Sequence, residues 1–197
     1  MDVLIKNIIY SSIQNLFKNQ PEIFDNTLLT NFTEWNLSYH LANEISKYIF
    51  WLNTDIDVIK SSYENKRPDI IFHKRGINSL NYLVVELKKS KYDNKLDIIK
   101  IRRNWMEEPL KYRFGAYINI WGINKYKAVL VEQDNIETEI NSCCNYIPLP
   151  HLSNNKIRRF QFMVERLKAK EQNIATGLDD QIHLIDTEIL SIFTNGN

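Results

Sequence analysis

Residues 82–87 (YLVVEL) constrain the fold more than any other segment of the chain. They are apolar at nearly every position, whereas a strand with one face in water alternates between apolar and polar residues. The segment therefore predicts a short strand at the centre of a sheet, buried on both faces. Glu86 breaks this pattern, because a carboxylate in such a strand is costly unless it is paired with a cation or bound to a metal.

Hydrophobic periodicity predicts the other elements around this strand. Four further strands are expected at residues 55–62, 69–73, 114–121 and 126–132. Helices are expected at residues 3–17, 32–52, 94–108 and 156–170. In the third of these helices, the residues expected to be buried are Leu96, Ile99 and Met106. Helices and strands follow one another along the chain, which indicates a mixed α/β domain.

The chain of 197 residues is expected to form a single domain, since this length is sufficient for one hydrophobic core. The centre of the domain would be residues 33–132, with the helix at 3–17 and a C-terminal helical segment at 156–197 appended to it. No apolar run approaches the ~18 residues of a membrane span. Cys143 and Cys144 are adjacent and make an implausible disulfide pair, which fits a reducing compartment. We therefore expect a cytoplasmic protein without membrane association.

Charge is distributed unevenly along the chain, although the net charge is only +1. Residues 60–113 contain fourteen Lys and Arg against seven Asp and Glu, whereas the segments before and after them are net acidic. A basic segment of this kind creates a local field that attracts polyanions. The alternative is a lysine-rich face that is simply solvated.

Two acidic residues and a lysine fall at corresponding ends of the second and third predicted strands. Asp69 follows Pro68 at the start of one strand, and Glu86 lies near the end of the next. Lys88 is two residues beyond Glu86, so both side chains are expected on one face. If the two strands pair as a hairpin, Asp69 reaches the same end. The alternative is that Lys88 serves only as an ion partner of Glu86.

This combination of side chains suits hydrolysis of a phosphodiester bond. Carboxylate oxygens are preferred ligands of Mg²⁺, and an all-oxygen set favours Mg²⁺ or Mn²⁺ over zinc. A bound divalent metal polarises the phosphoryl oxygen and lowers the pKa of a bound water. A nearby lysine can orient or deprotonate that water, or stabilise the charge that develops on the phosphate.

Residues 67–73 (RPDIIFH) and 82–89 (YLVVELKK) resemble the PD-(D/E)xK nuclease superfamily, which has the restriction-endonuclease-like fold. The resemblance extends over about residues 33–121. It implies a mixed central sheet flanked by helices, with the acidic pair and the lysine at one edge. By the same resemblance, Asp69 and Glu86 are metal ligands, the carbonyl of Leu87 joins them, and Lys88 is the catalytic lysine.

Glu34 resembles the glutamate that a helix before the sheet often contributes to the metal site of this superfamily. The alternative is a capping role, because Asn31 as N-cap would make Glu34 the third helical residue. Glu44 is a weaker candidate on the same helix, since it projects about 80° away from Glu34.

The basic segment supplies the candidate contacts to nucleic acid. Phosphate contacts provide most of the non-specific affinity for nucleic acids. We expect such contacts from Lys89, Lys100, Arg102 and Arg103. By contrast, His73 is expected to be structural, and all four tryptophans, Trp35, Trp51, Trp105 and Trp121, are expected in the core or at an interface.

The sequence thus predicts a metal-dependent nuclease that acts on DNA in preference to RNA, with Mg²⁺ or Mn²⁺ as cofactor. An endonuclease in defence or in the processing of a mobile element would fit this prediction. A homodimer or a larger complex would suit a duplex cutter, since one site cleaves one strand. The alternative function is a non-cleaving nucleic-acid-binding or assembly module on the same fold.

Overall fold

The computed structural model describes residues 1–24, 33–59, 66–92, 95–134, 136–141, 143–171 and 178–194. The described α-helices are α1 (Asp2–Asn19), α2 (Glu34–Ser46), α3 (Lys95–Lys100), α4 (Asn154–Glu171) and α5 (Leu178–Thr194). A 3-10 turn covers Pro21–Phe24, and a π-helix continues α3 over Ile101–Met106. The strands are β1 (Asn53–Ile56), β2 (Ile70–Lys74), β3 (Ile77–Lys88), β4 (Phe114–Gly122), β5 (Lys125–Val131) and β6 (Glu137–Ile140). The fold is mixed α/β, as predicted.

The six described strands form one open sheet in the order β1-β2-β3-β4-β5-β6. Neighbouring strands are antiparallel except β3 and β4, which are parallel. A parallel pair needs a crossover connection, and α3 with the π-helix lies between these two strands in the chain. Because β3 has a hydrogen-bonded neighbour on each side, the prediction of a central strand at residues 82–87 is confirmed.

A tight turn at Arg75 and Gly76 joins β2 to β3. Gly76 has a φ of +81°, in the left-handed region that favours glycine. A side chain at this position would have open space around it, so the backbone conformation and not crowding requires glycine here. The turn makes β2 and β3 a hairpin, which the site prediction assumed.

The two faces of the sheet belong to separate hydrophobic cores, because successive strand residues point to opposite sides. The larger core joins one face to α1, α2, α4 and α5, and includes Leu83, Val85 and Leu87 of β3. The smaller core lies beneath the π-helix and consists of Ile71, Val84, Tyr117, Val129 and Val131 with Ile101, Trp105, Leu110 and Tyr112. Both faces of β3 are therefore covered, which explains its nearly continuous apolar sequence.

The prediction for the helix at residues 94–108 is wrong in its buried face. Leu96 and Ile99 are exposed, whereas Asp97, Ile101 and Trp105 are buried. These three buried residues are spaced four apart, so they lie along one side of the helical segment. Because one of the three is an aspartate, a search for apolar periodicity selected a different face.

Several boundaries also differ from the prediction. The helix predicted at 32–52 ends at Ser46, because Tyr48 and Ile49 are buried in the following turn and extend the apolar pattern. β6 was not predicted, since three of its four residues are polar. Residues 60–62 of the first predicted strand lie outside the described residues. The C-terminal segment 156–197 contains α4 and α5.

The tryptophans, which were expected in the core or at an interface, lie in two kinds of environment. Trp51 and Trp105 are buried in the cores, as predicted. Trp35 instead lies on the outer surface of α2 and is 60% exposed. His73 is buried and its ring nitrogen lies 2.8 Å from Asp55 Oδ2, so its structural assignment is consistent with the geometry.

Close packing of the π-helix on β4 gives a test of this fold. A Cβ at Gly115 would lie 2.2 Å from Ile101 Cγ2 and 3.0 Å from Met106 Sδ. Overpacking of this kind costs about 1–3 kcal/mol, so we expect Gly115→Ala to lower the free energy of unfolding by that amount. Urea denaturation followed by circular dichroism would measure the loss.

Gly122→Ala is the matched control, because it changes a glycine of the same strand where the nearest atom to a new Cβ, Lys125 Cδ, is 3.5 Å away. We expect a change within about 0.5 kcal/mol for this variant. Equal stability of the two variants would contradict the packing of the π-helix on β4.

Candidate active site

The β2–β3 hairpin brings Asp69 and Glu86 to the same end of the sheet. Ile70 pairs with Val85, so Asp69 and Glu86 are the next opposing positions in the register. The amide of Leu87 donates a hydrogen bond of 2.6 Å to Asp69 Oδ2. The Asp69 side chain therefore accepts the hydrogen bond that a backbone carbonyl would otherwise accept just beyond the Ile70–Val85 pair. This bond holds the side chain against β3.

Glu86 lies on the side of the sheet that the π-helix covers. Trp105 Nε1 donates a hydrogen bond of 3.0 Å to Glu86 Oε1, and Trp105 belongs to the smaller core. Sequence reasoning missed this partner. Two general considerations could have predicted it. A buried indole N–H needs a hydrogen-bond acceptor, and Glu86 was an acidic residue of a buried strand that had no assigned donor.

Lys88 and Glu34 meet at the end of β3. Lys88 Nζ lies 3.6 Å from Glu34 Oε2, and the amide of Lys89 donates a hydrogen bond of 3.3 Å to Glu34 Oε1. Glu34 is the first residue of α2, so the first turn of this helix contacts the strand that carries Glu86. The structure thus brings all four predicted site residues, Asp69, Glu86, Lys88 and Glu34, to one region.

The capping alternative for Glu34 is wrong. Thr33 is the N-cap of α2, and its Oγ1 accepts a hydrogen bond of 3.1 Å from the amide of Asn36. Glu34 is consequently one residue into the helix, where its carboxylate turns to β3 instead of back to the cap. Asn31, the predicted N-cap, lies outside the described residues.

Glu44 is distant from this arrangement and has a structural environment. It is buried, and its Oε1 lies 2.6 Å from Lys47 Nζ and 3.3 Å from Asn19 Nδ2. The ranking of Glu34 above Glu44 therefore agrees with the geometry.

Two acidic residues of the site, Glu86 and Asp69, have raised pKa values. Burial is the largest cause of the raised pKa of Glu86, which reaches about 7, and the charge of Asp69 adds to it. The hydrogen bond from Trp105 and the charge of Lys88 act in the opposite direction. Burial also raises the pKa of Asp69, with a contribution from Glu34, while the Leu87 amide and Lys88 oppose the increase.

The pKa of Lys88 reflects the same cluster. Burial alone would lower it, but the charges of Asp69, Glu34 and Glu86 outweigh burial, and the pKa is raised. The cluster therefore favours additional positive charge, which is the electrostatic condition for binding a cation.

The residues at this end of the sheet fit a hard divalent cation such as Mg²⁺. Asp69 and Glu86 each have a second carboxylate oxygen that takes no hydrogen bond within the described part of the chain. Mg²⁺ typically takes one or two carboxylates and keeps several waters. Among the described residues, no three His, Cys, Asp or Glu side chains are close enough together to hold a metal as they stand. These residues therefore fit a site in which Asp69 and Glu86 supply two carboxylate ligands. Water, the carbonyl of Leu87 or the carboxylate of Glu34 would supply the remaining ligands.

Asp97 is a further acidic residue that sequence reasoning missed. It is only 1% exposed, its Oδ1 pairs with Lys100 Nζ at 2.8 Å, and its Oδ2 is buried without a hydrogen bond within the described residues. Its charge contributes to the raised pKa values of both Glu86 and Lys88. The signal in the sequence was the spacing of four residues that puts Asp97 on the same side of the helical segment as Ile101 and Trp105.

The predicted phosphate contacts occupy different positions around the site. Lys89 directly follows Lys88 and contacts Glu34 through its amide. Lys100 is paired with Asp97, and Arg102 Nη2 lies 2.6 Å from Glu137 Oε1 at the start of β6. Arg103 is exposed on the π-helix. Contact of these side chains with nucleic acid stays a prediction.

No protein-family model, curated protein or solved structure matches this chain. In the described part of the chain, none of the helices has the length and apolar character that a membrane crossing requires.

The raised pKa of Glu86 predicts a specific dependence of stability on pH in EDTA. The folded state keeps a proton on Glu86 up to about pH 7, whereas the unfolded chain releases it near 4.5. This contribution to stability is therefore complete below pH 4.5 and is lost as the pH rises through 7. Glutamine cannot lose this proton. We therefore expect the free energy of unfolding of Glu86→Gln, measured relative to that of the parent, to be on the order of 2 kcal/mol higher at pH 8 than at pH 5.

Urea denaturation at both pH values would measure this difference. Glu107→Gln, which changes an exposed glutamate, is the control and should keep a constant difference from the parent. An identical pH dependence of the parent and Glu86→Gln would show that Glu86 does not hold its proton in the folded state.

Proposed function

We propose that this protein is a nuclease of the PD-(D/E)xK type that uses Mg²⁺ or Mn²⁺ to hydrolyse phosphodiester bonds, with DNA as the preferred substrate. The observation that carries the proposal is the convergence of Asp69, Glu86 and Lys88 where β2 begins and β3 ends. Glu34 adds to it, because its carboxylate lies 3.6 Å from Lys88 Nζ.

The proposal includes the restriction-endonuclease-like fold. Its support is the order of elements, in which a helix precedes the acidic hairpin and a helix–strand unit follows it. The central sheet is mixed and has helices packed on both faces. The hairpin and the parallel strand β4 meet at β3, which is also the strand that carries Glu86 and Lys88.

Each residue has a definite part in the proposed reaction. Asp69 and Glu86 would hold the divalent ion, with the Leu87 carbonyl and Glu34 as further oxygen donors. The bound ion would polarise the phosphoryl oxygen and lower the pKa of a water. Lys88 would orient that water or donate hydrogen bonds to the phosphate oxygen on which charge develops. Trp105 would position Glu86 through its hydrogen bond to Oε1.

The first test is cleavage of plasmid, linear duplex, single-stranded DNA and RNA in Mg²⁺, Mn²⁺ or EDTA. We expect cleavage that requires the metal and is reduced at least about a hundredfold by Asp69→Asn, Glu86→Gln or Lys88→Ala. Asparagine at 69 keeps an oxygen for the Leu87 amide, so the hairpin should remain intact.

Lys111→Ala is the control for the loss of one positive charge, because Lys111 pairs with Glu108 on the surface away from the site. Thermal unfolding of each variant would show that it is folded, and addition of Mg²⁺ should raise the melting temperature of the parent more than that of Asp69→Asn. Cleavage by Asp69→Asn and Glu86→Gln at the rate of the parent would overturn the proposal. If DNA is bound but never cut, the non-cleaving module becomes the better description.

Glu34→Gln tests whether the helix glutamate belongs to the site. The side chain of Glu34 is nearly half exposed, so the substitution should leave the melting temperature almost unchanged. If Glu34 completes the metal site, we expect cleavage to fall about tenfold or more and the Mg²⁺ concentration for half-maximal rate to increase. An unchanged rate and metal requirement would restrict Glu34 to its ion pair with Lys88.

A further inference from the structure

Two aromatic side chains form an exposed pair on the solvent side of α2. Trp35 is 60% exposed and Tyr39, one helical turn further, is 46% exposed. Their rings are nearly parallel, with an interplanar angle of 14° and centroids 6.1 Å apart. The opposite side of α2 is buried in the larger core. Two adjacent exposed rings form one continuous aromatic surface on which a planar group such as a base can stack.

The pair lies beside the candidate active site. Trp35 directly follows Glu34, whose two carboxylate oxygens contact Lys88 Nζ and the amide of Lys89. The first turn of α2 and the end of β3 are therefore in contact, and the aromatic pair begins one residue from that contact.

The chain that leaves β3 adds positive charge and a third exposed ring. Lys91 is exposed, and Tyr92 is 83% exposed. Asn119 of β4 holds this segment, because its Oδ1 accepts a hydrogen bond of 3.0 Å from the Ser90 amide and its Nδ2 donates one of 3.4 Å to the Tyr92 carbonyl. The backbone that carries the exposed side chains of Lys91 and Tyr92 is thus held at the end of β3.

We propose that Trp35 and Tyr39 form a stacking site for an unpaired base of a single-stranded nucleic acid. Its phosphates would follow Lys88, Lys89 and Lys91, and this placement of the strand rests on the proposed nuclease function. Proteins that bind single strands combine a positively charged path for the backbone with aromatic rings on which bases stack. In a duplex the faces of the bases are covered by their neighbours, so only an unpaired base can use this site.

Charge favours a nucleic acid over a protein as the occupant. Lys88 and Lys89 contact Glu34, the residue before Trp35, and the exposed Lys91 follows them along the chain. Such lysines can pair with phosphates, whereas an apolar partner surface would have to desolvate them. The surface is also continuous with a cluster suited to a phosphodiester bond. The active site would then receive single strands, flaps or frayed ends.

Binding in EDTA separates this proposal from catalysis. Fluorescence anisotropy would measure the affinity of the full chain for a labelled oligo(dT) and for a hairpin duplex. An oligo(dT) of about fifteen nucleotides suits this test, because single-strand sites typically cover roughly 4–16 nucleotides. We expect the double variant Trp35→Ala/Tyr39→Ala to bind oligo(dT) about tenfold more weakly or worse. Binding of the duplex should change much less.

Two variants control for loss of fold and for general aromatic character. Trp35→Phe keeps a ring that can stack and should retain most of the affinity. Phe162→Ala removes a ring of α4 that is 64% exposed and should have no effect. Quenching of tryptophan fluorescence by unlabelled oligo(dT) should decrease in Trp35→Phe, because the indole that contacts the base is absent. The proposal is overturned if the double variant binds as the parent does, or if Phe162→Ala is equally weakened.

The Asp69→Asn variant distinguishes failure of this proposal from failure of the nuclease function. It should lose cleavage in Mg²⁺ but bind oligo(dT) in EDTA at least as well as the parent. If the parent does not cleave nucleic acid but Trp35→Ala/Tyr39→Ala binds oligo(dT) more weakly than the parent, the stacking site is supported and the nuclease function is rejected. If the parent cleaves but Trp35→Ala/Tyr39→Ala binds oligo(dT) as the parent does, the stacking site alone is rejected.

Discussion

The hydrogen bond from the Leu87 amide to Asp69 Oδ2 determines how the end of the β2–β3 hairpin is built. It extends the pairing one position past Ile70 and Val85 with a side chain instead of a backbone carbonyl. Asp69 is thereby held opposite Glu86, near enough for its charge to disfavour ionisation of Glu86. The closeness of the two carboxylates and their attraction for Lys88 depend on this arrangement, and so would the binding of the proposed divalent cation.

α2 completes the site from the other face of the sheet. Its inner side is buried with α1 in the larger core, and this packing directs its first turn to the end of β3. Glu34 then contacts Lys88 and Lys89 without leaving the helix. The same packing keeps Trp35 and Tyr39 on the outer side. One helix thus supplies a core surface, a carboxylate at the site and an aromatic surface beside it.

The hairpin and its acidic residues were predictable because they depend on local pattern. An alternation of two residues puts Glu86 and Lys88 on one face, and a strand buried on both sides has a recognisable sequence. The buried Asp97, the hydrogen bond from Trp105 to Glu86 and strand β6 were missed because they depend on contacts distant in the chain. Trp105 is explained only once Glu86 lies beneath it, and β6 forms because β5 offers it an edge. Trp35 was expected in the core or at an interface, and its apolar ring alone does not distinguish the two, because exposure is decided by which side of α2 packs.

Charge balance connects the two faces of the site. Glu34 acts on Asp69, and Asp69 and Asp97 both act on Glu86. Two lysines lie among these four carboxylates: Lys88 is paired with Glu34, and Lys100 is paired with Asp97. With every group ionised, four negative charges face two positive ones. This surplus is unfavourable because desolvation opposes ionisation of Asp69 and Glu86, and a proton on Glu86 relieves only half of it. The proposed divalent cation would remove the whole surplus, because it carries two positive charges. The negative charges that are unfavourable in the protein without metal would then be the ones that bind the ion.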